Sequence, residues 1–103
     1  MRFLNELHEG DRISGIYLCK QKQPAVTKNG KPYENIILQD KTGMMDGKIW
    51  DPNSLGIDDF DALDYIEVMG DVTSFAGAMQ LNIKRVRKAG EGEYNPGRLS
   101  SGK

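Results

Sequence analysis

At 103 residues, 38% hydrophobic and 28% charged with a net charge of −1, the sequence suits one globular domain with a modest core and excludes a disordered chain. No apolar run approaches the roughly 20 residues that span a bilayer, and the start, Met1-Arg2-Phe3-Leu4-Asn5-Glu6, lacks the apolar stretch of a secretory leader. The single cysteine, Cys19, has no partner for an internal disulfide, and together these features predict a cytoplasmic setting with no membrane contact.

Residues 12–20 (Arg-Ile-Ser-Gly-Ile-Tyr-Leu-Cys-Lys) are rich in β-branched and aromatic types and predict a first strand. Gly15 interrupts it and predicts a bulge or bend there, as a small barrel needs where one strand serves both halves of the sheet. The segment Thr27-Lys28-Asn29-Gly30-Lys31-Pro32 is a turn, with Asn-Gly supplying positive φ. Residues 33–39 predict a second strand and 44–50 a third, joined by Asp40-Lys41-Thr42-Gly43 as an antiparallel hairpin. Alternation places Ile36, Leu38, Met45, Gly47 and Ile49 on one face. Asn35, Ile37, Gln39, Asp46, Lys48 and Trp50 take the other.

After Asp51-Pro52-Asn53-Ser54, the spacing of Leu55, Asp59, Phe60 and Leu63 predicts a short amphipathic helix within 54–63. Residues 65–75 return to strand character, with Ile66, Val68, Gly70 and Val72 inward. Ala76-Gly77-Ala78 is a turn, and 79–87 make a fifth strand with Leu81 and Ile83 inward. Residues 1–90 thus read as one domain, and the Gly-, Ser- and Pro-bearing stretch 91–103 as a linker or tail. Five strands with a helix between the third and fourth is the order of the OB-fold, an all-β Greek-key barrel.

Charge is unevenly spread. Residues 51–67 carry six carboxylates and no basic residue, so the rest of the chain sums to +5. Lys20, Lys22, Lys28 and Lys31 form one basic cluster, and Lys84, Arg85, Arg87 and Lys88 another. Catalytic chemistry is poorly provided for. His8 is the only histidine, Cys19 lacks a base and reads as a buried apolar residue, and no phosphate-binding glycine loop occurs. Asp58, Asp59 and Asp61 read as a solubilising surface rather than a metal site. No catalytic residue, metal or cofactor is expected.

Binding is better served. OB barrels receive single strands across strands 2 and 3, framed by the 1–2 and 4–5 loops. Those places hold Lys28, Asn29, Lys31 and Tyr33, then Asn35, Gln39, Lys48 and Trp50, and finally Phe75, Gln80, Asn82 and Lys84. Rings stack on bases, lysines neutralise phosphates and amides bond base edges. Arg85 and Arg87 extend the basic track. Each residue also has an ordinary structural reading: Trp50 as a plug of the barrel base, Tyr33 as loop packing, Phe75 as a cross-strand partner. Glu34, beside Tyr33, would repel phosphate. The rival reading, favoured by the net charge, is a protein-interaction module using the acidic 51–67 segment or a strand edge.

Three runs carry a resemblance: Lys28-Asn29-Gly30-Lys31-Pro32-Tyr33, Leu38-Gln39-Asp40-Lys41-Thr42-Gly43 and Lys48-Ile49-Trp50-Asp51. With Gly10-Asp11-Arg12, Gly70-Asp71-Val72 and Gln80-Leu81-Asn82-Ile83, they make the chain resemble the N-terminal OB domain of the YhaM family of bacterial 3′–5′ exoribonucleases. The resemblance covers roughly residues 1–90. It implies an accessory domain that helps hold single-stranded RNA or DNA while a downstream HD-type domain, absent from this sequence, binds metal and cleaves. Gly47 stands where the family often has alanine.

Overall fold

The computed structural model describes residues 3–90, with Phe75 described by its backbone alone. The expected tail, 91–103, lies outside the described residues. Five strands form: β1 (Arg12–Val26), β2 (Pro32–Asp40), β3 (Gly43–Ile49), β4 (Tyr65–Phe75) and β5 (Ala78–Lys88). They close into a barrel in the order β1-β2-β3-β5-β4, with β4 returning to β1. Every pairing is antiparallel except β3 with β5. The predicted alternation holds, since Ile36, Leu38, Met45, Ile49, Ile66, Val68, Val72, Leu81 and Ile83 all point into one core.

β1 closes the barrel because it is long enough to serve two partners. Arg12–Leu18 pairs with β4, and Leu18–Val26 with β2. The bulge that lets it turn lies between Cys19 and Gln21, not at Gly15. The extra residue is Lys20, and a bulge of this kind needs an unpaired residue rather than a glycine. Gly15 has another use: a Cβ there would lie 3.2 Å from the Tyr17 hydroxyl oxygen, so its absence gives room to that fully buried ring.

The 54–63 helix does not form. Ser54 and Ile57 donate to the Asp51 and Ser54 carbonyls in tight turns. The chain then bonds to strands: Asp58 N–H donates to the Val86 carbonyl, Val86 N–H to the Gly56 carbonyl, and Leu63 N–H to the Cys19 carbonyl. A short isolated helix is marginal without an apolar face to pack. Here only Phe60 is buried, while Leu55 and Leu63 stand in solvent. Gly56 further weakens helix formation by about 1 kcal/mol relative to alanine. The one helical element among the described residues is a 3₁₀ turn, Leu4–Glu6, at the other end of the barrel.

That N-terminal turn is fastened by a buried carboxylate. Asp40, wholly inaccessible, accepts from Leu4 N–H at 2.6 Å, Thr42 N–H at 2.8 Å and the Thr42 hydroxyl at 2.5 Å. Its lone pairs are thereby satisfied, as burial of a carboxylate demands. Leu4 and Leu7 cover this end of the core, and Phe60 covers the other.

Candidate nucleic-acid interface

The register builds the outer surface in rows that cross the strands. Tyr33 of β2 stands beside Trp50, one residue beyond β3. The next row runs Gln23, Asn35, Lys48, Asn82 and Asp71, and the one after it Gln21, Ile37, Asp46, Gln80 and Thr73. Asn35, Lys48, Trp50, Gln80 and Asn82, widely separated in sequence, therefore share one face with Tyr33.

Trp50 does not plug the barrel, since Phe60 fills that position. It is 40% exposed, and its ring centroid lies 4.9 Å from that of Tyr33 with the planes tilted by 34°. The indole N–H donates to Asn82 Oδ1 at 3.0 Å, which fixes the ring's orientation. Lys48 donates to Asn35 Oδ1. This partner is neutral, and Asp46 lines the same hollow. Two aromatic faces, an oriented cation and three amides thus converge on one surface.

Glu34 faces the other way. Its carboxylate lies 3.8 Å from Lys22 Nζ, which also donates to the Phe60 carbonyl and sits 4.3 Å over the Phe60 ring. The carboxylate expected to repel phosphate beside Tyr33 is thus paired with a cation, though it lines one hollow with Tyr33, Asp58 and Asp59. Lys22, largely buried in this arrangement, supports the barrel end rather than the surface.

The remaining candidates divide. Lys28 and Asn29 are exposed at the β1–β2 hairpin tip, with Lys31 beside them. The turn is held by Thr27 and by Gly30 at φ +81°. Lys84 is exposed and 3.5 Å from Asp71. Gln39 belongs to the outer row by register but is only 6% exposed, so it presents no amide to a surface ligand. The Phe75 side chain lies outside the described residues. Arg87 is engaged by Glu67 at 2.6 Å.

Sequence reasoning missed Gln21 and Gln23, which with Ile37, Asp46 and Lys48 line a hollow in the outer face. The expected first strand stopped at residue 20, because the polar run that follows has no apolar alternation to signal a strand. The strand nevertheless continues, held by β2 rather than by core burial. Beneath the surface, Cys19 is fully buried and donates to the Gln21 carbonyl at 3.4 Å. Burial pushes its thiol up to about 11, only partly countered by Lys22. Among the described residues no three His, Cys, Asp or Glu side chains are grouped to hold a metal ion, and no helix is long and apolar enough to cross a membrane.

Comparison with known proteins bears on both fold and ancestry. No protein-family model matches the chain. Over 88 residues, 84% of its length, it is 34% identical to the 3′–5′ exoribonuclease YhaM of Bacillus velezensis. Over 84 residues it is also 34% identical to YhaM of a Geobacillus species. Those alignments take in 28% and 26% of the relatives, so the chain spans little more than a quarter of the curated proteins it matches. Among solved structures, the second OB-fold domain of replication protein A from Methanococcus maripaludis matches with a TM-score of 0.55 at 21% identity, covering 84% of this chain and 92% of that one. A replication protein A heterotrimer bound to single-stranded DNA matches with a TM-score of 0.61 at 16% identity, covering 86% and 65%. The barrel is an OB-fold, and its sequence is similar to one segment of the YhaM exoribonucleases, as the motifs had implied.

Proposed function

We propose that this domain holds single-stranded RNA or DNA and performs no chemistry on it, serving as the substrate-holding part of a 3′–5′ exoribonuclease whose HD-type catalytic domain is not in this sequence. The observation that carries the reading is the Tyr33–Trp50 pair, oriented by Asn82 and flanked by Lys48. A half-exposed Trp50 beside a partly open Tyr33 and an oriented cation suits bases and phosphates of an unpaired strand, each stacked base being worth about 1–3 kcal/mol. The relationship to YhaM exoribonucleases and the fold shared with replication protein A domains support it. Bases stack on Trp50, Tyr33 and Phe75, phosphates meet Lys28, Lys31, Lys48 and Lys84, and Asn29, Asn35, Gln80 and Asn82 address base edges.

Trp50 is the only tryptophan, so its fluorescence reports binding directly. Titration with oligo-U and oligo-dT at increasing salt is expected to quench it, with log K falling by about 0.7 per log unit of salt for each phosphate neutralised. Lys28→Gln and Lys31→Gln should each flatten that slope. Binding indifferent to salt and to both substitutions rules the mode out. A second reading, docking of a neighbouring domain, draws on Leu55 and Leu63, exposed within the acidic 51–64 connection. An absence of oligonucleotide affinity, with retained association to the adjoining domain, would favour it.

A further inference from the structure

Two grooves meet at Lys84. One runs from Trp50 past Ser54, Ile57 and Asn82 to Lys84. The other, about 410 Å³, begins at Lys84 and crosses β5, β4 and β1 between Arg85, Met69, Asp71 and Arg12. The junction is made by a second bulge. β4 and β5 shift register between Met69 and Gly70, which leaves Lys84 looped out of the ladder and the strands pressed together at Gly70. Gly70, without a side chain, leaves the groove open at its middle, and Arg12, Lys84 and Arg85 line it together with Ser14, Met69 and Asp71.

Building on the proposed function, we infer that the bound strand continues past Trp50 across β5 onto the β4–β1 face, where Lys84, Arg85 and Arg12 hold its phosphates. Arg12, Lys84 and Arg85 line this groove with one carboxylate, Asp71, while Asp51 lines the groove beside Trp50 and Asp58 and Glu67 border Arg85 on its far side. Asp71 lies 3.5 Å from both Arg12 and Lys84, too little charge to neutralise the groove. Arg12 and Lys84 are mostly solvent-exposed, so both guanidinium and ammonium can turn to a ligand. Met69, 46% exposed on the groove wall, offers an apolar contact for a base. An acidic peptide would satisfy the charges equally, but continuity with the Trp50 groove favours the strand. Three inter-strand steps from β3 to β1 cover roughly 14 Å, the reach of a few nucleotides beyond those stacked on Trp50 and Tyr33.

The test compares a dT dimer, which the Trp50–Tyr33 platform alone can seat, with a dT dodecamer, within the roughly 4–16 nucleotides an OB domain accommodates. The double substitution Arg12→Gln/Arg85→Gln is expected to weaken the dodecamer roughly ten- to thirtyfold near 0.1 M salt and to lower its salt slope by about 1.4. Dimer binding should stay unchanged. Ser14→Glu, which adds a carboxylate to the groove without removing any contact, should do the same. A dodecamer unaffected by both variants overturns the second track while leaving the Trp50 site standing. An unaltered chain that binds neither oligonucleotide overturns the proposed function itself. Poly-glutamate peptide binding lost in the variants, with both oligonucleotides unaffected, would assign the groove to a protein instead.

Discussion

Along β2, Ile36 and Leu38 are buried while their neighbours Tyr33, Asn35 and Ile37 stay partly open to solvent. The same strand therefore serves two surfaces under different constraints. Inward residues are held by packing from every direction, and their places are fixed by a period of two and a closed ladder. Outward residues are held by a few specific contacts: Trp50 by Asn82, Lys48 by Asn35, Tyr33 by Trp50. Inside, a substitution should act on stability. Outside, it should act on binding.

The largest effect is expected at Gly70. A Cβ there would overlap the Asn82 carbonyl oxygen and lie 2.9 Å from its carbonyl carbon, and backbone cannot swing aside as a side chain does. Gly70→Ala should cost about 3 kcal/mol or more, a large part of the stability of so small a domain. Gly47→Ala is the matched control. Its Cβ would meet the terminal Ile83 Cδ1 at 2.8 Å, which can swing aside, and Ile36 Cγ1 at 3.1 Å, which need give only a few tenths of an ångström, so a loss of about 1 kcal/mol is expected. Urea midpoints of the two variants measure the difference. Equal losses would mean that the β4–β5 approach at Gly70 is not a rigid feature of the barrel.

Cys19 gives a pH-dependent version of the same argument. Its thiol is raised from an ordinary 9.0 to about 11, chiefly by burial. Between those values the unfolded chain has released the proton and the folded chain has not, so rising pH favours unfolding. The stability at stake is fully present below pH 9 and is lost by pH 11, on the order of 2–3 kcal/mol. Cys19→Ala removes the titrating group, so its urea midpoint should fall less between about pH 8 and pH 11 than that of the unaltered chain. Parallel curves for the two proteins would show that the thiol is not held neutral by the core.

The same division explains what could be read in advance. Ile66, Val68, Val72, Leu81 and Ile83 were legible because apolar side chains at alternate positions have one low-energy destination. The β1–β2 turn was legible because Asn29-Gly30 tolerates positive φ. The helix at 54–63 was misread because Leu55, Phe60 and Leu63 have helical spacing, whereas the backbone groups of that segment find partners on β5 and β1 that no local pattern announces. Gln39 was misplaced for a related reason. Period two gives the face, but not how much of a side chain on that face stays open, and Gln39 is only 6% exposed. The Trp50–Asn82 bond joins residues 32 apart through the parallel β3–β5 pairing. A non-local pairing of that kind is set by barrel closure and leaves no signature in either segment.

The smallest expected effect on the fold, and the most informative for function, is at Trp50. The ring is partly exposed and lies outside the core, so Trp50→Ala should cost only about 1 kcal/mol of stability, most of it from the lost contact with Tyr33. On binding, the same change removes a stacking platform worth about 1–3 kcal/mol. Anisotropy of a fluorescently labelled dodecamer measures affinity without the tryptophan signal. Because Lys28, Lys31 and Lys84 remain, the salt slope should be retained while the affinity falls. Trp50→Phe keeps a π-face but loses the N–H to Asn82, so it should recover part of the affinity and separate stacking from orientation. If Trp50→Ala instead unfolded the barrel and left the affinity of the remaining folded fraction intact, the outer face would be structural like the inner one. The division between the two surfaces would then fail at the residue on which it most depends.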